Sequence, residues 1–129
     1  MRDPWPWQAS ELEEAMDRVQ AHAADVQFHL DQLAARLERT LPGQVTVERG
    51  GRIVRARQVR RLRVHVQDHV FACTMTESGL QTTHARQVRG IDGPEETVAP
   101  QEWASRLRDA LHAQAEWLET ARRMLADLL

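Results

Sequence analysis

VRARQVRRLRVHVQDHVFACTM, residues 54–75, places two kinds of side chain in alternation over most of its length. Val54, Ala56, Leu62, Val64 and Val66 occupy even positions, while Arg55, Arg57, Arg61, Arg63 and His65 occupy odd ones. A period of two is the signature of a strand with one face in the core and the other turned outward. A two-residue turn at Gln67-Asp68 sets Val66 opposite His69, and the next strand then brings Phe71, Cys73 and Met75 to the same inner side. Gln58 and Arg60 interrupt the inner parity, which predicts a bulge near Gln58–Arg60.

Outward from this hairpin the pattern continues in both directions. Val45 and Val47 alternate with Thr46 and Glu48, Gly50-Gly51 marks a turn, Ser78-Gly79 marks another, and a last strand is expected from about Leu80 to Val88. An acidic DGPEE stretch, residues 92–96, then leads into the final helix.

Two long helices flank the strands. Ser10 and Glu13 form a capping box in which a hydroxyl and a carboxylate satisfy free backbone N–H groups at a helix start. From there Leu12, Met16, Val19, Ala23, Val26, Leu30, Leu33 and Leu37 recur in alternating steps of four and three, until Pro42-Gly43 stops the helix. A helix over 11–41 is roughly 45 Å long at ~1.5 Å per residue. The C-terminal stretch repeats the scheme, with Pro100 as a first-turn residue followed by Trp103, Leu107, Leu111, Ala115, Leu118, Ala121, Leu125 and Leu128. The expected fold is α+β, in the order α-β(4)-α. An antiparallel meander of three to four strands over 44–91 carries both helices (11–41 and 100–129) on one sheet face, with the basic odd positions on a solvated other face. Residues 1–129 read as a single domain, opened by an extended Trp/Pro tail over 1–9.

Charge is concentrated in one place. Seven arginines and no acid lie between Arg49 and Gln67, in a chain whose formal net charge is −2. Every cation is Arg, Lys and Tyr being absent, so arginine abundance reflects coding bias and only its clustering is informative. Arg55, Arg57, Arg61, Arg63 and His65 are the candidate face for an anionic partner, since guanidinium forks bond phosphate and carboxylate in pairs. The competing reading is a solvated face whose arginines pair across the sheet with acids such as Glu48 or Glu77. Overall acidity and the lack of interleaved aromatics weigh against nucleic acid.

The eight-position stripe Leu12, Met16, Val19, Ala23, Val26, Leu30, Leu33 and Leu37 reads either as an oligomer seam or as a core face. Trp5 and Trp7, set among prolines, are candidate docking anchors, or a staple folded over the first helix. Trp103 and Trp117 read as packing residues, the second lying beside the apolar stripe where an interface could use it. Cys73, at an inner strand position, reads as core. No histidine spacing marks a metal site, and His65 and His69 should point to opposite sheet faces. No catalytic motif, cofactor loop or small-molecule site is evident. A single cysteine, an opening without an apolar leader core and no run of about 18 apolar residues point to a cytoplasmic protein without a membrane span.

Val88-Arg89-Gly90-Ile91 followed by Glu102-Trp103, Leu107, Leu111, Ala115 and Leu125 resembles a group of small uncharacterised bacterial proteins. In these, a V-R-G-hydrophobic strand end precedes a helix opened by an E-W-hydrophobic pattern. The resemblance covers about the last seventy residues and implies a helix-strand-helix fold, with no activity attached. The element order is also similar to that of YbaB-type nucleoid-associated proteins, dimers with a helix, a small sheet and a second helix, although their glycine-punctuated strand pattern is not evident. The expectation that follows is a non-catalytic, self-associating interaction module, a homodimer or a subunit of a larger assembly. The alternative is a nucleic-acid-binding protein using its basic sheet face.

Overall fold

A computed structural model of the chain describes Leu12, residues 26–50 and residues 58–128. Trp5, Trp7, the Ser10 and Glu13 capping box, Met16, Val19, Ala23, Arg55 and Arg57 lie outside the described residues.

Helix α1, Val26–Thr40, buries Leu30, Leu33, Ala34 and Leu37 on one stripe. It ends where the sequence predicts. Leu41 donates its N–H to the Leu37 carbonyl at 2.8 Å, and Gly43 takes a φ of +83° that few L-residues tolerate. Strands β1 (Val45–Gly50), β2 (Gln58–Val66), β3 (His69–Thr76) and β4 (Gly79–Val88) follow as an antiparallel meander. Two short pieces, β5 (Ile91–Asp92) and β6 (Glu96–Thr97), both pair with β4, and helix α2 runs from Pro100 to Leu128.

The β2–β3 register is the one the alternation predicts, with Val66 opposite His69, Val64 opposite Phe71 and Leu62 opposite Cys73. Between β1 and β2 the register slips: Glu48 faces Arg61 but Arg49 faces Val59, leaving Arg60 as the extra residue of a bulge. A bulge leaves ladder groups without strand partners, and α1 supplies substitutes. Asp31 Oδ1 accepts the Val59 N–H at 2.8 Å, while Gln27 Nε2 donates both to the Val59 carbonyl and to Asp31, each at 2.9 Å.

The acidic stretch expected to be a connection is instead a fifth lane of the sheet. Val88 pairs with Ile91 and Gln87 with Asp92, across an Arg89-Gly90 turn in which both residues have positive φ. Further along, His84 pairs with Glu96 and Thr83 with Thr97, one residue out of step with the first pairs. The slip falls at Pro94-Glu95, where a proline without an N–H can sit on an edge. Gly93 is required here, since a Cβ on it would lie 2.9 Å from the Arg86 carbonyl oxygen.

Both helices pack on one face of this half-barrel, α1 over β1 and β2, α2 across β2, β3 and β4. Leu62, Val64, Val66, Phe71 and Cys73 meet Leu30, Leu33 and Leu37 from α1 and Trp103, Leu107 and Leu111 from α2. The described part of the proposed oligomer seam is therefore occupied. Leu12, Leu30, Leu33 and Leu37 belong to the monomer's own core, Val26 lies at its margin, and none of the four is free to meet a second copy.

The opposite face departs from the expected solvated surface. Val70, Ala72, Thr83 and Ala85 alternate away from the helices yet are all buried. Their small or short side chains suit the concave side of a curled sheet.

Candidate functional site

Three places hold the chemistry. The first is that concave face. Arg61 and Arg63 leave β2 opposite Thr74 and Ala72 and reach over the sheet to the edge lane. There Arg61 meets Glu95 at 3.1 Å and Arg63 meets Asp92 at 3.0 Å. Asp92 also accepts from Gln87 Nε2 at 3.0 Å. The partners anticipated for the stripe were Glu48 or Glu77; the acids of the edge lane are used instead because the curl brings that lane within an arginine's reach. Each guanidinium reaches its acid with its terminal Nη2, which leaves Nε out of the contact. Among the described residues neither Arg61 Nε nor Arg63 Nε has a hydrogen-bond partner, although both atoms are buried. The two side chains retain 32 and 25 % exposure, so the stripe is neither a free cationic comb nor a sealed salt bridge. His65, the third described member, is half-buried, and its backbone is held by Gln44 through the His65 N–H at 2.7 Å and the His65 carbonyl at 3.0 Å.

The second place lies on the helix side, where the β2–β3 turn, β4, β6 and α2 converge. His69 Nδ1 and His84 Nε2 are 2.9 Å apart, and Arg106 Nη1 is 3.2 Å from His84 Nδ1. Arg106 also binds Glu96 at 2.9 Å and Glu102 at 2.8 Å, while Arg86 holds Asp68. The His84 ring lies flat on Phe71, with centroids 4.5 Å apart, and Phe71 meets Trp103 edge-on. Burial, then the nearby His69 and Arg106 charges, hold the His84 imidazole below its ordinary value, against an opposing pull from Glu96 and with a further push from Arg86. Donation from Arg86 lowers the Asp68 carboxyl, and donation from Arg106 lowers Glu96. The sequence places His69 on the inner face, but the pairing with His84 emerges only from the β3–β4 hairpin. With Thr76 opposite Gly79, His84 falls opposite Phe71, one inner position from His69.

The third place is the far half of α2. Gln44 and Gln114 exchange side-chain amides at 2.7 and 3.3 Å, the helix's tie to the loop before β1. Past it, Trp117 is 60 % exposed, Leu118 52 %, Met124 63 % and Leu125 60 %. Gln44, Gln67, Asp68, Gln114, Trp117 and Leu118 line a hollow of about 410 Å³. Trp117 is thus not a packing residue of the described core, whereas Trp103 is fully buried and donates its indole N–H to the Thr83 carbonyl at 3.1 Å.

Cys73 is buried, and desolvation pushes its thiol far above the usual range, leaving no thiolate for nucleophilic work. Among the described residues no group of His, Cys, Asp and Glu is arranged to hold a metal ion. No described helix is long and apolar enough to cross a membrane. Comparison with protein families, with curated proteins and with solved structures finds no match for this chain.

Proposed function

We propose that the protein is a non-catalytic interaction module that pairs with a second copy of itself through the exposed apolar side of α2, as a subunit or adaptor of a larger cytoplasmic protein assembly. The observation that carries this reading is the exposure of Trp117 and Leu118 and, two turns further along α2, of Met124 and Leu125. Large apolar side chains clustered in this way mark contact surfaces, whereas scattered ones do not. Ala121 sits between them in the helical repeat and lets another helix approach closely. A helix presenting such a patch pairs most simply with itself about a twofold axis.

The rival reading, nucleic-acid binding through Arg61 and Arg63 with Arg55 and Arg57, has weaker support. Phosphate would have to displace Asp92 and Glu95 from the two described arginines.

Sedimentation equilibrium at micromolar concentrations tests the first reading. Wild type should be a dimer, and Leu118→Glu with Leu125→Glu should be a monomer of unchanged helix content. A wild-type monomer throughout the range would end the proposal. Anisotropy of a labelled duplex at about 50 and 200 mM salt tests the rival, because several phosphate contacts change affinity by orders of magnitude over that range.

A further inference from the structure

Donors and acceptors around His69 and His84 fit together in only one way. Arginine has donors alone, so His84 Nδ1, 3.2 Å from Arg106 Nη1, must accept. A neutral His84 then carries its proton on Nε2 and donates it to His69 Nδ1 at 2.9 Å. His69 in turn carries its proton on Nε2, which faces Asp68 Oδ1 at 3.5 Å. Every N–H runs in the same direction, from helix α2 through β4 and β3 to the β2–β3 turn.

We infer that Arg106, His84, His69 and Asp68 form a one-way relay that ties the start of α2 to the sheet only while both imidazoles are neutral, so that a single added proton breaks the tie in mild acid. A proton on His69 Nδ1 would oppose the His84 Nε2–H. A proton on His84 Nδ1 would oppose the Arg106 N–H and set two cations side by side. Turning His84 to its other tautomer only moves the conflict to Arg106. The surrounding charges do not remove the clash, since Asp68 faces only His69 Nε2, on the side of the ring away from His84. Glu96 from β6 and Glu102 from α2 are engaged by Arg106, Asp68 by Arg86, and Arg86 from β4 adds a further positive charge near His84. Trp103 lies one helical turn before Arg106, and its ring touches Phe71, on which His84 is stacked. Its indole N–H, bonded to the Thr83 carbonyl, is therefore a reporter for the tie.

Nitrogen-detected NMR of the full chain between pH 8 and pH 4.5 tests the relay. The expected result is Nε2–H on both His69 and His84 at pH 8, titration of His84 below its usual value of about 6.5, and a Trp103 indole shift that follows the first proton taken up by the pair. An Nδ1–H tautomer on either residue at pH 8, or a Trp103 signal that stays still while the first of the two imidazoles takes its proton, overturns the inference. His69→Gln with His84→Gln supplies fixed donors and acceptors and leaves no titrating ring in the tie. In that variant the Trp103 shift between about pH 6.5 and pH 5 should disappear, and its persistence at full size would show that the relay is not the trigger.

Discussion

Gln44 and Gln114, seventy residues apart in the chain, hold each other by reciprocal amide hydrogen bonds of 2.7 and 3.3 Å. Because Gln44 also donates to the His65 carbonyl at 3.0 Å, this pair ties α2 to both the α1–β1 loop and β2. Gln114→Ala removes one partner while leaving Gln44 half-exposed and able to meet water. The expected loss is about 1 kcal/mol, read from urea unfolding with an unchanged m-value.

A larger loss is expected at the bulge. Asp31→Ala leaves the Val59 N–H with no replacement for its missing ladder partner, and an unmet buried donor costs roughly 1–3 kcal/mol. Asp31→Asn retains an oxygen acceptor and should recover most of that loss. Equal destabilisation by the two substitutions would show that the Val59 contact is not what Asp31 contributes.

The two halves of α2 should respond oppositely to truncation. Leu107 is fully buried, so Leu107→Ala is expected to cost about 2–5 kcal/mol. Leu125, at 60 % exposure, should change monomer stability by less than about 0.5 kcal/mol on the same substitution. Its effect should appear instead in the dimer dissociation constant, measured by sedimentation.

Arg61 and Arg63 need not be charged for folding. Exposed ion pairs are worth at most about 1 kcal/mol, and each of these arginines leaves a buried Nε unsatisfied. Arg61→Met with Arg63→Met should therefore keep or raise the melting temperature while removing both charges. Arg61→Glu with Arg63→Glu should lower it, since acids would then face Glu95 and Asp92. The Met pair is accordingly the cleaner variant for testing anionic partners.

Acid should act in two stages. His84 has a lowered affinity for protons when folded, so from its unfolded value of about 6.5 down to its folded value the unfolded chain binds more protons. Stability rises with pH across that window. Asp68 and Glu96 are also lowered, and their contributions are present above the usual carboxylate values and lost as pH falls through the folded ones. Thermal melts from pH 8 to pH 3 should show an early decline that His84→Gln removes and a later one that it does not.

Period-two alternation made the middle of the fold legible, because one face of β2 is apolar at every second residue and the other is not. The bulge at Arg60 and the turn at Gln67-Asp68 could be read from the positions where that parity breaks or reverses. Residues 91–98 were not legible as a strand lane: Gly93, Pro94 and two adjacent acids suppress strand propensity, and the pairing comes from the free edge of β4. The same lane explains why the arginine stripe is half-covered, a consequence of sheet curl that no local pattern carries. The apolar run of α1 could not by itself separate core from seam, because both require the same spacing. Nor could the continuous stripe of α2 show that the helix outruns the sheet, since spacing is blind to where the neighbouring layer stops.

Pro94 gives the edge lane a further role. An open strand edge is a template on which another chain can add itself, the first step towards fibrils. Along 91–98 that template is cut into two-residue pieces on either side of a proline that cannot donate to an incoming strand. The sheet can thus end without a full-length closing strand and still refuse uncontrolled growth on that side.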